Sequence, residues 1–332
     1  MILKKLNNNL FEMIEIVAGI DIGGTNSVIG LVTRSGDCIA ETTMPTRNNG
    51  NFENFIESIS HKIKSLYNQV DPSKYKLCGV GVGAPNGSFG IGAIVNAPNL
   101  EWKGVLPICK ELTKQTNLPA VVTNDANAAA LGEMLFGGAK GMKDFIVVTL
   151  GTGLGSGIVS NGKLVIGHDG FAGELGHTIT EINGRMCGCG NRGCLETYVS
   201  ATGIKRTVFM LLAQSNKPSK LREISFENLT SKHVTEAANN GDSIALDAFE
   251  YTGRLLGIKL AEVITLFSPE AIFLFGGVAK AGNFLFDPAK KYMEEYMFPV
   301  FRDKVKLLPS GLEGKNAAVL GAAALIWEEI NK

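Results

Sequence analysis

Ile20-Asp21-Ile22-Gly23-Gly24-Thr25-Asn26 lies between two apolar runs, Ile16–Ile20 and Ser27–Thr33, and reads as a tight turn joining antiparallel strands. The pattern returns about 130 residues later as Phe145–Leu150, a turn over Gly151–Gly155, and Ser156–Ser160. A strand–glycine turn–strand unit that occurs twice predicts an α/β chain built from two related lobes. Such turns also carry chemistry. Without Cβ atoms, Gly23 and Gly24 leave backbone N–H groups room to approach phosphate oxygens, and Thr25 adds a hydroxyl donor. Asp21, at the strand end, is placed to hold Mg²⁺ directly or through water. A plain hairpin turn capped by Asp and Gly accounts for the same residues, and spacing alone does not separate the two readings.

The second turn, Thr149-Leu150-Gly151-Thr152-Gly153-Leu154-Gly155, offers the same groups. Its spaced glycines superficially match a dinucleotide fingerprint. That fingerprint needs a helix next, whereas Gly157-Ile158-Val159 continues as strand. No Gly-Lys-Ser/Thr is present, which excludes a Walker loop. Two hairpin turns serving one cleft are therefore expected.

Working outward, Cys38–Thr43 reads as a third strand after the turn Arg34-Ser35-Gly36-Asp37. Phe52–Tyr67 places Phe52, Phe55, Ile56, Ile59, Ile63 and Leu66 at helical spacing, ahead of Asp71-Pro72. Leu77–Val82 and Ala120–Val122 are further strands. Residues 162–200 are irregular and Gly-rich, and 203–265 read as mostly helical. Ala271–Phe275 is a last strand running into Gly276-Gly277. Asn316–Ile330 closes the chain as an Ala-rich helix, with Ala317, Gly321 and Ala324 forming a small-residue face for close packing. Residues 1–14 read as a short leader.

With 332 residues, 45% of them hydrophobic, the chain is long enough for two cores, and global disorder is excluded. Lys+Arg and Asp+Glu both total 32, so the basic footprint that nucleic acid requires is missing. Glu12 and Glu15 interrupt the apolar residues of the N-terminus, which is not a signal-peptide core. The most apolar stretch, Phe145–Val159, is too short to span a bilayer. No nucleic acid, no membrane and a cytoplasmic location are the expectations. Cys38, Cys78 and Cys109 stand among apolar neighbours and read as buried free thiols.

Cys187, Cys189 and Cys194 are clustered in Cys187-Gly188-Cys189-Gly190-Asn191-Arg192-Gly193-Cys194, ten residues after His177. Three thiolates and one imidazole make a closed tetrahedral set of the kind structural zinc takes, and the glycines let a short loop wrap the ion. With no open position, such a metal shapes a site and does no chemistry itself. Glu174 and Glu196 flank the cluster and would be held rigidly by it; the plainer reading of each is an exposed, solvated carboxylate. Asp125, in Thr123-Asn124-Asp125-Ala126-Asn127, stands where a strand enters an Ala-rich helix. General-base work in a cleft and a mere helix N-cap both fit that position.

Taken together, these segments resemble the ROK family of sugar kinases and sugar-responsive repressors, within the actin/hexokinase-like (ribonuclease H-like) superfamily. Ile20–Thr25 resembles its first phosphate motif, Asn124–Asn127 its catalytic segment, and Leu150–Gly153 its second phosphate motif. Gly173-Glu174-Leu175-Gly176-His177 with Cys187 through Glu196 resembles its most specific signature. The resemblance covers about residues 15–330. It implies a two-lobed ATPase fold of mixed sheets flanked by helices, with one lobe over 1–125 completed by helix 316–332, and the other over 126–315. It implies ATP-dependent phosphorylation of a hexose at its primary 6-hydroxyl, glucose first, with N-acetylhexosamines or fructose as alternatives.

By position, the resemblance makes Asp125 the general base. Asn99, Asn124, Glu174, His177 and Glu196 become the sugar-binding residues. Asp21, Gly23, Gly24, Thr25, Thr152, Gly153, Gly276 and Gly277 become the residues around ATP and Mg²⁺. His177, Cys187, Cys189 and Cys194 become the zinc ligands, His177 also serving the sugar with its other ring nitrogen. A homodimer is implied, which the small-residue helices would permit. A repressor on the same scaffold carries a DNA-binding domain before the first phosphate motif, and the roughly 20 residues preceding Asp21 are too few for one. A non-catalytic binding protein remains the third reading.

Overall fold

The computed structural model describes residues 13–48, 50–312 and 315–331. Of the expected leader, residues 1–12 lie outside the described residues, and Ile14 already belongs to the first strand. The chain divides into two compact units, one running to Ala128 and resuming at Asn316, the other spanning Ala129–Lys315.

In the first unit, β1 (Ile14–Ile22), β2 (Asn26–Thr33) and β3 (Cys38–Pro45) form an antiparallel meander. β4 (Tyr75–Gly83) and β8 (Ala120–Thr123) add in parallel, giving the five-stranded order β3-β2-β1-β4-β8. The crossover from β3 to β4 runs through α1 (Phe52–Tyr67). All six apolar positions read at helical spacing are buried, and Asn51 caps the helix by accepting the N–H of Asn54. A small three-stranded sheet of β5 (Gly87–Ser88), β6 (Ala93–Val95) and β7 (Val105–Leu106), then α2 (Ile108–Thr116), precede β8. After β8 the chain turns directly into α3 (Asp125–Phe136).

The second unit repeats the plan. β9 (Phe145–Leu150) and β10 (Leu154–Ser160) form the hairpin, with β11 (Lys163–Leu164) at its edge. Its helices are α4 (Glu196–Val199), α5 (Ala201–Gln214), α6 (Ser231–Asn239) and α7 (Ser243–Phe267). β12 (Ala271–Phe275) pairs in parallel with β9, and α8 (Asn283–Tyr296) leads to β13 (Lys306–Pro309), parallel to β12. The order β11-β10-β9-β12-β13 matches the first sheet strand for strand. The second glycine turn is tighter than its glycines suggest, because Leu154 and Gly155 already belong to β10.

α9 (Ala317–Ile330), capped by Asn316, packs on the first unit's sheet. It comes close to the strand glycines at Val319, Ala322, Ala323 and Ile326. The reason lies on the strands, where Gly19 and Gly81 leave the carbonyls of Val319 and Ala322 room to descend onto the sheet. Ala317, Gly321 and Ala324 are buried as well.

The isolated cysteines differ from expectation. Cys38 is exposed, because β3 is an edge strand with one open face, and Cys78 and Cys109 are only half-buried. Burial still pushes the Cys109 thiol up to about 12. Among the described residues no helix is long and apolar enough to cross a membrane.

A Cβ at Gly81 would overlap the carbonyl of Ala322, whereas one at Gly90 would meet nothing within 4 Å. Gly81→Val is expected to destabilise the fold by about 2–3 kcal/mol through overpacking. Gly90→Ala should change it by less than about 0.5 kcal/mol. Denaturant melts of the two variants beside the wild type check this.

Candidate functional site

Each unit assembles one group of the residues singled out in the sequence. In the first unit, Gly23-Gly24-Thr25 joins β1 to β2, and the N–H of Gly23 returns to the carbonyl of Asn26 at 3.0 Å. The Gly24 carbonyl accepts Nε of Arg47 at 2.9 Å, and Thr25 is exposed. A Cβ at Gly24 would lie 3.1 Å from that of Asn99, so the Ala97–Leu100 segment passes directly beside the turn.

The Asp125 carboxylate is close enough to Asp21 to act on its charge. Burial, then the Asp125 carboxylate, pushes Asp21 up from 3.8 to about 6. Asp125 itself is open to solvent, yet the protein crowding it raises its pKa, an effect the Ala126 N–H opposes. The cap of α3 is Asn124, whose Oδ1 accepts the N–H of Asn127 at 2.7 Å while its carbonyl accepts that of Ala128 at 3.0 Å. The N-cap reading of Asp125 therefore passes to its neighbour. Asp125 accepts the adjacent Ala126 N–H at 2.9 Å, and the residue remains exposed.

In the second unit, the 3₁₀ turn Leu175–His177 and the loop to α4 gather His177, Cys187, Cys189 and Cys194, with one ligand atom from each all within 4.8 Å of one another. Sγ of Cys189 and Cys194 are 3.7 Å apart, and Sγ of Cys187 is 3.7 Å from Nδ1 of His177. Zn–S bonds of about 2.3 Å require tetrahedral edges of about 3.8 Å, so the residues present fit a zinc ion. The wrap depends on Gly190 and Gly193, both at positive φ; Gly188 has no such requirement. With Nδ1 turned to the thiols, Nε2 of His177 lies 3.8 Å from Oε2 of Glu174.

Glu196, at the start of α4, reaches back to the glycine turn, where its Oε2 accepts the N–H of Leu154 at 2.9 Å. A Cβ at Gly153 would overlap that oxygen. The metal loop and the second turn are thus joined through one carboxylate. Thr152 is exposed, and its carbonyl accepts Oγ1 of Thr202 at 3.1 Å. At the end of β12, Gly276 adopts φ 106° against the backbone of Leu150, where a side chain would collide. Gly276 and Gly277 line a cavity of about 240 Å³ with Phe275, Lys280, Ser310 and Lys315.

Arg185 was not anticipated. Its guanidinium donates to the carbonyls of Thr197 and Gly203 and to Oγ1 of Thr207, and lies 4.5 Å over the Tyr198 ring. Its own N–H donates to the Tyr198 hydroxyl at 2.8 Å, which clamps the metal loop onto α4 and α5. No local pattern marks it, since every hydrogen-bond partner of its guanidinium lies at least 12 residues away.

A family profile described as the ROK family matches residues 17–329. A glucokinase of Halalkalibacterium halodurans is 36% identical over 94% of this chain and 95% of its own length. A ROK family glucokinase from Streptomyces griseus, solved in complex with glucose and AMPPNP, is 33% identical with a TM-score of 0.77, over 93% of this chain and 98% of that one. A ROK family transcriptional regulator is 28% identical with a TM-score of 0.83, over 94% of this chain and 77% of that one.

The raised pKa of Asp21 has a consequence for stability. Between 3.8 and about 6 the folded chain holds a proton that the unfolded chain has released. The contribution of this group is therefore fully present below 3.8 and is lost as pH rises through about 6. Asp21→Asn should be the more stable protein at about pH 8, by up to about 3 kcal/mol, and should lose that advantage below about pH 4. Thermal melts across pH, without divalent cations, read the difference; an advantage constant with pH would contradict the assignment.

Proposed function

The chain belongs to the ROK family, with the actin/hexokinase-like fold of its kinases, and on that premise we propose that it transfers the γ-phosphoryl group of ATP to the primary 6-hydroxyl of a hexose, glucose foremost. The observation that carries the proposal is Asp125: an exposed acid of raised pKa, at a strand mouth, released from capping by Asn124. Such a group is poised to accept a proton.

In the reaction, Asp125 takes the proton of the sugar's primary hydroxyl as that oxygen bonds to the γ-phosphorus. The bond from phosphorus to the bridging oxygen breaks, and ADP leaves with the electron pair. The remaining work is positioning and charge neutralisation. Asn99, Asn124, Glu174, His177 and Glu196 hold the other hydroxyls. Asn124 has its Oδ1 in the cap and offers its Nδ2 donors, while Glu196 has Oε2 on Leu154 and offers Oε1. The two glycine turns, with Thr25 and Thr152, present donors to the phosphates, and Gly276 and Gly277 leave room for adenosine beside their cavity. Asp21 would hold Mg²⁺, which neutralises phosphate charge when bound.

Zinc would be held by Cys187, Cys189, Cys194 and Nδ1 of His177, and this would leave Nε2 to donate to a sugar hydroxyl in a fixed orientation. The three-thiolate set suits a reducing compartment, and a cytoplasmic homodimer completes the reading. N-acetylhexosamines and fructose are the alternative acceptors. The likeness to a transcriptional regulator supplies the second reading, a sugar-responsive protein without turnover.

A coupled ADP-release assay with ATP·Mg²⁺ over a panel of hexoses and N-acetylhexosamines should show a clear preference, with glucose first. Silence from zinc-loaded, sugar-binding protein would favour the regulatory reading. Asp125→Asn should keep sugar affinity while kcat falls about 10²–10⁴-fold; near-normal turnover would remove it as the base. Cys189→Ser should lose zinc by elemental analysis and bind sugar more weakly, and full metal content would show the ligand set to be wrong.

A further inference from the structure

Beyond the groups assigned above, one buried acid remains without a role. Glu133, in the second half of α3, is 1% exposed. Its Oε2 accepts the N–H of Gly138 at 2.7 Å and that of Gly311 at 3.2 Å, and its Oε1 accepts the hydroxyl of Ser310. Ser310 Oγ in turn accepts the N–H of Leu312 at 3.1 Å, and the Ser310 N–H donates to the carbonyl of Leu274 at 3.1 Å. Ser310 and Leu312 are walls of the 240 Å³ cavity that Gly276 and Gly277 also line.

We propose that Glu133 is a positioning residue for the nucleotide, fixing the Ser310–Leu312 wall of the adenosine cavity through its carboxylate. The inference rests on the kinase reading above. Burying a carboxylate costs several kcal/mol unless donors surround it, and an apolar residue would fill the same space on an Ala-rich helix at lower cost. What the acid supplies is direction. Three donors from two separate segments converge on two oxygens, which sets where the 310–312 strap lies relative to the turn at 137–138. The strap is also tied to the sheet by a backbone hydrogen bond from Ser310, just past the end of β13. Glu133 is not itself a lining residue and reaches the cavity through Ser310, and it hydrogen-bonds to no sugar-binding candidate, so its effect should fall on the nucleotide alone.

Glu133→Gln keeps the volume and replaces one acceptor with a donor that faces the donors of the strap and turn. With full-length, zinc-loaded protein, KM for ATP should rise about tenfold or more, while KM for glucose stays within about twofold. The Kd for ADP, by calorimetry without sugar, should rise by the same factor as KM for ATP. Ser310→Ala removes the same contact from the other side and should shift both nucleotide constants in the same direction by about threefold, which keeps the test open should the glutamine variant fold poorly. Unchanged ATP and ADP constants in folded variants, or a parallel rise for both substrates, would overturn the assignment. A wild type that binds ADP but phosphorylates no sugar would sink the kinase reading instead, and the ADP comparison would still decide the role of Glu133.

Discussion

The carboxylate of Glu196 occupies the space that a side chain at residue 153 would fill, and the candidate site of the second unit is assembled around that contact. A glycine turn by itself offers N–H groups and no fixed orientation. Here one oxygen of Glu196 is spent on the Leu154 N–H, which leaves the other fixed 3.8 Å from the Cys187 thiol. Glycine turn, carboxylate and cysteine loop are thereby tied together, and Arg185 ties the loop to α4 and α5. Fixed placement of this kind is what positioning catalysis requires, because a displacement of about 1 Å costs orders of magnitude in rate.

The first unit carries its turn on a sheet of the same order. Its turn is buttressed by the Asn99 segment and by Arg47, and its acid stands at the head of a helix whose cap belongs to the preceding residue. Two carboxylates, Asp21 and Asp125, share that neighbourhood, and their repulsion combines with burial to keep one of them near neutrality at mildly acid pH. A cation beside them would relieve that repulsion.

Packing density follows from where glycines fall on strands. Gly19 and Gly81 admit the backbone of α9 onto the sheet, so the helix most distant in sequence completes the unit. The same device recurs where Gly276 passes the backbone of Leu150 and opens the cavity beside it. In each case the missing Cβ matters for what it lets approach.

Local pattern was enough for the features whose cause is local. The 3.6-residue spacing of α1, the two glycine turns and the clustering of His177 with three cysteines were all legible, because neighbours in sequence there are neighbours in space. The small sheet of β5–β7, β13, and α8 with its internal Pro288 were not anticipated, since short strands and a proline within a helix contradict the local signals. Which residue caps α3, how far Cys38, Cys78 and Cys109 are buried, and what Arg185 and Glu133 hold were decided by tertiary structure alone. Each depends on groups brought together from distant parts of the chain, so burial and hydrogen-bond partners exist only once the sheets have formed.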